Sequence, residues 1–440
     1  MSLNNSQLQK LFRKTGITIN SNSGSGYLVD NQTPMVIIYP KTIQELSTTL
    51  KIASENHLNV VPSGGNSRMN LGNQINAIDL MISMSNLDNI LNHNPADLTV
   101  RVQSGITIEK FSQLLSQHNQ FVPIDPPLPN IATIGGTLAV GFTGPLKWMG
   151  GNLRDTVIGM TIVESDGTIV KTGGNVVKNV TGYEMSKLHI GGLGTLGIIA
   201  EVAFKISPLP HHETTILIPV NKTNDLSQVT HDIFQSHITP LSIVSMDVST
   251  FKSLKIKCKL DSKYVACIRL GGRRNEVQRM STEIKKICQD VDNFIELDKS
   301  NFIWNKIANF GYPVSPKNRM IIRITSLPSK TISITNQIRK INTSFSPIDF
   351  KIISDHTHGN SIILCDNLTT SQYILELIKE IREKVHQYNG CVILESIPQN
   401  IKSQCEIWDA NPDTIQLMGK FKKTYDPFQI LNPGRFAGRI

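Results

Sequence analysis

The sharpest chemical signal in the first half of the chain is Val60-Val-Pro-Ser-Gly-Gly-Asn-Ser-Arg68, an apolar strand running into a turn of small residues. Consecutive backbone N–H groups can converge on an anion there. Gly64 and Gly65 permit positive φ and close approach, and Ser63, Asn66 and Ser67 add side-chain donors. With Pro62 leading in, these residues describe a cradle for phosphate or pyrophosphate; a plain Gly-Gly turn between strands is the other reading of the same string.

A second string, Gly192-Leu-Gly194-Thr-Leu-Gly197, has the G-x-G-x-x-G spacing of a dinucleotide fingerprint. That fingerprint must follow a strand, open a helix and meet an acidic residue about 20 positions on. Here the residues after the glycines, Ile198 to Ile206, read as a strand, and Leu217 stands where the acid belongs. A nicotinamide-dinucleotide fold is therefore excluded. What remains is a glycine turn entering a buried strand, able to lie against a flat ligand. The six cysteines, Cys258, Cys267, Cys288, Cys365, Cys391 and Cys405, form no close pair. The spacing suits no ordinary zinc or iron–sulfur motif and no disulfide framework, so an electron-relay metal would sit on another chain.

The elements that must position these groups alternate. Met35 to Tyr39 reads as a strand, and Thr42-Ile-Gln-Glu45 has capping-box spacing for a helix to about Glu55. Strands follow at His57 to Pro62, Ile78 to Ile82 and Leu98 to Gln103, then a helix from Thr107 to Gln117 and a strand near Phe121. Between residues 130 and 200 glycine is dense but interleaved with Ile131, Ile134, Leu138, Val140, Leu193, Leu196 and Ile198, so the segment is buried and its backbone needs partners. Ser207-Pro-Leu-Pro210 reads as a boundary. Beyond it, strands near 214–220, 242–247, 264–270, 320–324 and 361–365 alternate with helices near 224–236, 275–290 and 368–388, which suits an antiparallel sheet with helices on one face.

With 440 residues and 39% hydrophobic content, two or three folded domains are expected. No stretch reaches the ~18 apolar residues of a membrane helix and the N-terminus lacks a secretory core, so the expected location is cytoplasmic, with peripheral association at the inner face of the membrane left open. Net charge is +9. Residues 1–210 hold 14 basic against 13 acidic side chains and residues 211–440 hold 30 against 22, so the excess lies in the second half. Its dense part, Lys252, Lys255, Lys257, Lys259 and Lys263, has few aromatics to stack bases, so nucleic acid is not an expected partner. A solvated face, an acidic subunit or an anionic membrane surface fits.

The cradle at 62–67, the segments Asp125-Pro-Pro-Leu-Pro-Asn-Ile-Ala-Thr-Ile-Gly-Gly136 and Asn152-Leu-Arg-Asp-Thr-Val-Ile-Gly-Met160, the turn Ser165-Asp-Gly-Thr168 and Gly194-Thr-Leu-Gly197 resemble, in order and spacing, the landmarks of the FAD-linked oxidases of the vanillyl-alcohol-oxidase superfamily. Val177-Lys-Asn-Val-Thr-Gly-Tyr183 and Tyr425-Asp-Pro-Phe-Gln-Ile-Leu-Asn-Pro-Gly-Arg435 look most like the FAD-binding E subunit of bacterial glycolate oxidases. The resemblance implies an α+β fold: a PCMH-type FAD-binding domain of two α+β subdomains over 1–207, an antiparallel-sheet cap over 208–412, and a segment 413–440 returning to the first domain. It implies FAD, with Ser63 to Ser67 on the pyrophosphate after Pro62. Thr133, Gly135, Gly136, Gly141 and Gly144 would lie along the isoalloxazine, and Asp125, Pro126 and Ala132 are further cofactor-binding positions. Thr195, Gly197, Ile198 and Ile199 would meet the adenosine, and Asn432 and Arg435 belong to the returning turn, where Arg435 faces the pyrimidine side of the flavin or a substrate carboxylate, or is structural. Some relatives attach FAD through a His in the pyrophosphate loop; Asn66 stands there, so non-covalent binding is expected.

The family's 2-hydroxy-acid dehydrogenases resemble one another in a His-x-Gly-Asp-Gly-Asn-Leu-His string followed later by Glu-His, which in some members binds a divalent metal. Matching Gly359-Asn360 to that string puts Asp355 and Ile362 in the histidine positions, and matching Glu395 puts Ser396 in the place of the last His. No metal is expected, with His356 and His358 as nearby substitutes. Three readings stand: a catalytic FAD dehydrogenase for a small 2-hydroxy acid such as glycolate or D-lactate, an FAD-holding subunit that passes electrons between a catalytic flavoprotein and an iron–sulfur subunit, and a flavin-free interaction protein.

Overall fold

Thr42 starts the first long helix, Ile43–Glu55, by accepting the Glu45 amide at 3.1 Å. The Glu45 carboxylate reaches one residue further back than a capping box requires, accepting the Lys41 amide at 2.7 Å. The structure, a computed structural model, describes residues 4–20, 27–142, 144–146, 153–174, 184–288, 294–298, 301–313, 319–344, 349–366, 368 and 370–440. Asn152 and the string 177–183 therefore lie outside the described residues. Two units are distinguished: Met1–Thr143 with Gly151–Pro208 and Glu406–Ile440, and Gly144–Gly150 with Leu209–Cys405.

In the first unit a four-stranded sheet has the order Ile19–Asn20, Val36–Ile38, Leu80–Ser83, Val60–Ser63. Its last three strands are parallel, since the helix Ile43–Glu55 returns the chain between the first and the last of them. Parallel strands are covered on both faces and read as continuous apolar runs, and Leu80–Ser83 is buried at every position. Ile38, Val60 and Leu80 meet Leu46, Leu50 and Phe12 on one face, while Ile37, Val61 and Met81 meet Val29, Ile75 and Ile78 on the other.

A second sheet in this unit is antiparallel throughout, in the order Ile90–Asn94, Thr99–Gln103, Ile198–Lys205, Val157–Val163, Ile169–Gly173. Its central strand is the one entered from the glycine turn. Val202 pairs with Val102 on one side and Met160 on the other, and the helices Ile108–Ser116 and Ile134–Val140 close over the apolar face through Phe111, Leu115 and Leu138. The C-terminal helix Pro412–Tyr425 begins at the cap Asn411, and the chain after it runs beside Val60: the Val60 amide donates to the Ile430 carbonyl and the Asn432 amide to the Val60 carbonyl, both at 2.8 Å.

The second unit is built on one eight-stranded antiparallel sheet, ordered Ile295–Asp298, His212–Val220, Tyr264–Gly272, Ser242–Asp247, Asp349–Asp355, Asn360–Asp366, Met320–Thr325, Cys391–Ser396. Helices Thr223–Gln235 and Arg274–Ile287 cover one face through Leu226, Ile233, Met280 and Ile284. The other face also carries short helices, Val248–Ser253 and Asn301–Ala308, which place Phe251, Ile303 and Trp304 on Val244, Met246 and Val265. Helices on a single face were the expectation. The difference arises because these two helices, of 6 and 8 residues, are too short for a periodicity to declare itself.

Candidate functional site

The cradle read in the sequence opens into a cleft of the first unit with a volume of about 750 Å³, its mouth included, a size ordinary for a cofactor site of ~300–1,000 Å³. The strand Val60–Ser63 delivers the loop. Asn66 turns it with φ +59°, a conformation Asn tolerates better than most residues, and Ser63 Oγ donates to Asn66 Oδ1 at 2.5 Å. A Cβ on Gly65 would stand 1.6 Å from the Ile131 carbonyl oxygen, and one on Gly64 2.1 Å from Thr133 Oγ1. The two glycines are thus required by the chain segment 131–133 lying against the loop, before any ligand is considered.

That segment forms the adjoining wall. Thr133 accepts the Gly136 amide at 3.2 Å and so caps the helix Ile134–Val140. The Gly135 amide donates to the Ser104 carbonyl at 2.7 Å, and a Cβ at Gly135 would come within 2.7 Å of Ser104 Cβ. Ala139 and Val140 continue this wall, and Leu193, Gly194, Ile198 and Ile199 also line the cleft. Asn432 and Arg435 contribute from the C-terminal segment.

Arg68 lines the cleft with its guanidinium 5.6 Å from the Phe142 ring centroid. Arg435 is buried: Nη2 donates to the Met69 and Leu71 carbonyls at 2.7 and 2.6 Å and Nη1 to Asn432 Oδ1 at 3.2 Å. Burial lowers its pKa, and the Asp30 carboxylate opposes that shift. Arg435 therefore holds main chain together at this site, with Nε alone left unbonded. Ser104 Oγ is a second buried polar atom without a partner in the lining. Buried polar atoms are nearly always satisfied, and these two have no partner among the described residues.

Of the residues singled out from the sequence, the cleft brings together Pro62, Ser63, Gly64, Gly65, Asn66 and Ser67, with Thr133, Gly135, Gly136, Ile198, Ile199, Asn432 and Arg435. Asp125, Pro126, Ala132, Gly141, Gly144, Thr195 and Gly197 are not in its lining. Gly141 ends the helix Ile134–Val140 with φ +70°, packed on Gly191. Thr195 spends its hydroxyl and amide on the Gly192 carbonyl at 2.7 and 3.0 Å, and at Gly197 a Cβ would strike Ile162 Cγ2 at 2.6 Å. These residues shape the turn that carries Leu193 and Gly194. Arg68, Met69, Met84, Ser104, Ala139, Val140 and Leu193 line the cleft without having been singled out; Arg68 closed the cradle string, whereas nothing local distinguishes Ser104.

In the second unit the positions matched to the metal string are otherwise engaged. Glu395 accepts Arg323 Nε at 2.6 Å, both being buried. Asp355 holds the turn after its strand by accepting the Thr357 and His358 amides, and its other oxygen lies 2.5 Å from His358 Nδ1. His356 is buried with Nε2 2.7 Å from Ser245 Oγ. Among the described residues no three His, Cys, Asp or Glu side chains group around a common point.

Burial pushes the His356 imidazole down to about 4, against the opposing Asp355 charge, and burial alone does the same to His189 in the first unit. Both are neutral when folded. Unfolded, each takes a proton near 6.5, so the stability they allow is complete above that pH and is lost on acidification toward 4, by about 1.4 kcal/mol per pH unit for each. Tm is expected to fall between about pH 7 and about pH 5, and His356→Asn to fall less steeply. Parallel Tm profiles for the two chains would contradict the assignment.

Residues 34–173 match the family described as FAD binding domain, and residues 402–436 the C-terminal domain of FAD linked oxidases. Glycolate oxidase subunit GlcD of Bacillus subtilis (strain 168) is 26% identical over 420 residues, 92% of this chain and 89% of its own length. D-lactate dehydrogenase of Anaerostipes hadrus is 24% identical, covering 92% and 90%. Glycolate oxidase subunit GlcE of Escherichia coli (strain K12) is 30% identical over 171 residues, 39% of this chain and 48% of that one. Among solved structures, p-cresol methylhydroxylase matches with a TM-score of 0.76 at 12% identity over 98% of this chain and 95% of that one, which shows the fold.

Proposed function

We propose that this chain, in which residues 34–173 match the FAD binding domain and residues 402–436 the C-terminal domain of FAD linked oxidases, is an FAD-holding subunit of an oxidoreductase that acts on the CH–OH group of a small 2-hydroxy acid, binding FAD non-covalently and passing electrons between a catalytic flavoprotein subunit and a further partner chain. The observation that carries this is the cleft: its cradle, its second wall and the FAD-domain match occupy the same stretch of sequence. The residues present fit FAD. The loop 63–67 and Arg68 supply the donors and positive charge a pyrophosphate needs, and Gly135, Gly136, Ala139 and Val140 leave a wall without bulk beside which a flat ring system fits. Ser104 Oγ and Arg435 Nε are buried atoms for its polar edges. When bound, FAD would supply the redox couple that takes up and hands on the electrons leaving the alcohol carbon. Asn66 offers no nucleophile for covalent attachment.

Three observations favour a partner. The carboxylates at 355 and 395 are spent on His358 and Arg323, none of the six cysteines is in a disulfide and they form no cluster among the described residues, and Lys255, Lys257 and Lys259 project outward from a segment whose Leu254 and Leu260 are buried. Such a row of cations suits an acidic electron-carrying subunit, whose association would weaken with salt. The relatives named as GlcD and as D-lactate dehydrogenase, aligned over nine-tenths of the chain, favour the second reading, a self-sufficient glycolate or D-lactate dehydrogenase. Anaerobic mixing of the FAD-loaded chain with glycolate or D-lactate separates the two. The first reading expects no bleaching until a catalytic flavoprotein subunit is added, then a rate that falls with ionic strength; prompt bleaching of the chain alone establishes the second.

A further inference from the structure

Lys422 is a lysine only 3% exposed, near the end of a helix whose other residues are all at least partly exposed. Its ammonium makes a full set of three hydrogen bonds: to the Thr195 carbonyl at 2.9 Å, the Leu431 carbonyl at 2.8 Å and Asp426 Oδ2 at 2.6 Å. Asp426, buried completely, accepts the Ile430 amide on Oδ1 at 3.0 Å and the Leu431 amide on Oδ2 at 2.8 Å. Burial lowers the pKa of Lys422 and Asp426 opposes this.

Three segments are tied through this one pair. Thr195 belongs to the turn that presents Leu193 and Gly194 to the cleft. Ile430 and Leu431 flank Val60, whose strand delivers the cradle. Asn432, the next residue, donates its side-chain amide to the Leu193 carbonyl at 2.5 Å and itself lines the cleft. A buried ion pair often adds little net stability over an apolar replacement. What an apolar pair cannot replace is a donor that joins the carbonyls of two segments, each of which has a neighbouring residue, Gly194 or Asn432, in the cleft lining.

We infer that Lys422, neutralised by Asp426, is a positioning residue that latches the 192–197 turn and the 430–432 segment to each other and so sets the shape of the cofactor cleft. This rests on the reading of that cleft as the FAD site. No group of the pair touches the cleft lining through its own side chain; the effect passes through Thr195, Leu431 and Asn432.

The test compares the wild-type chain with Lys422→Met and Lys422→Met/Asp426→Asn, measuring Tm, FAD affinity, and amide hydrogen exchange of the flavin-free chain. The single variant leaves a buried carboxylate unpaired and is expected to lose both Tm and FAD affinity. The double variant removes both charges, so most of the Tm returns, while FAD binds about tenfold more weakly than to wild type, the effect of a lost charged hydrogen bond. Exchange in the double variant is expected to quicken at 192–199 and 430–432 and nowhere else. Wild-type exchange in those two segments, or FAD affinity that recovers together with Tm, overturns the latch. The exchange comparison decides it even in a chain that takes up no FAD, an outcome that would count against the proposed function instead.

Discussion

A Gly65→Ala chain is expected to purify without flavin. The added Cβ would sit 1.6 Å from the Ile131 carbonyl oxygen and 2.6 Å from its carbon, and neither atom can rotate away as a side chain would. The loop 63–67 or the segment 131–133 must move, and both are walls of the cleft, so a loss of at least about 100-fold in FAD affinity is expected, ~2.7 kcal/mol. Gly64→Ala is the milder companion. Its Cβ would meet Thr133 Oγ1 at 2.1 Å but Thr133 Cβ only at 3.2 Å. Adding Thr133→Ala should therefore restore part of the binding, at the expense of a helix cap worth about 1 kcal/mol. Stoichiometric FAD and an unchanged Tm in Gly65→Ala would mean that the loop does not lie against 131–133.

The second large effect belongs to the other unit. Glu395→Ala leaves Arg323 buried beside an empty position, and breaking a buried pair from one side costs about 3–5 kcal/mol. For a unit of this size that is a fall in Tm of roughly 6–20 °C. Arg323→Met/Glu395→Met should recover most of it, because an apolar pair of similar volume needs no compensation. A chelator should leave wild-type Tm unmoved, since Glu395 is held by a guanidinium. A Tm that drops on metal removal, together with a Glu395→Ala chain as stable as wild type, would return Glu395 to the role of metal ligand.

Local chemistry made parts of this legible in the sequence. Thr42 and Thr107 announced their helices because an N-cap hydroxyl acts within three residues, and the string at 60–68 showed a strand meeting a turn of small donors. The turn at 192–197 was separated from a dinucleotide fingerprint because Ile198 to Lys205 continues as a strand. Other features depend on distant partners. The helix Ile134–Val140 has two glycines in its first turn, which disfavour helix, and is held by Thr133 and by Ser104 some thirty residues earlier. Nothing local distinguishes Lys422, since only the folded chain brings Thr195 and Leu431 to it. The strands Asp349–Asp355 and Cys391–Ser396 carry charged residues at Asp355 and Glu395 that obscure their apolar alternation; Glu395 is paired across the sheet with Arg323, and Asp355 is held by the turn that follows its strand.

The measurement that bears most directly on the proposed function is the visible absorption spectrum of the purified chain, taken before denaturation and then on the separated protein and supernatant. The expected result is one flavin per chain, identified as FAD and recovered entirely in the supernatant. A colourless chain that takes up no FAD on reconstitution would contradict the assignment of the cleft, and flavin remaining on the denatured polypeptide would contradict non-covalent binding.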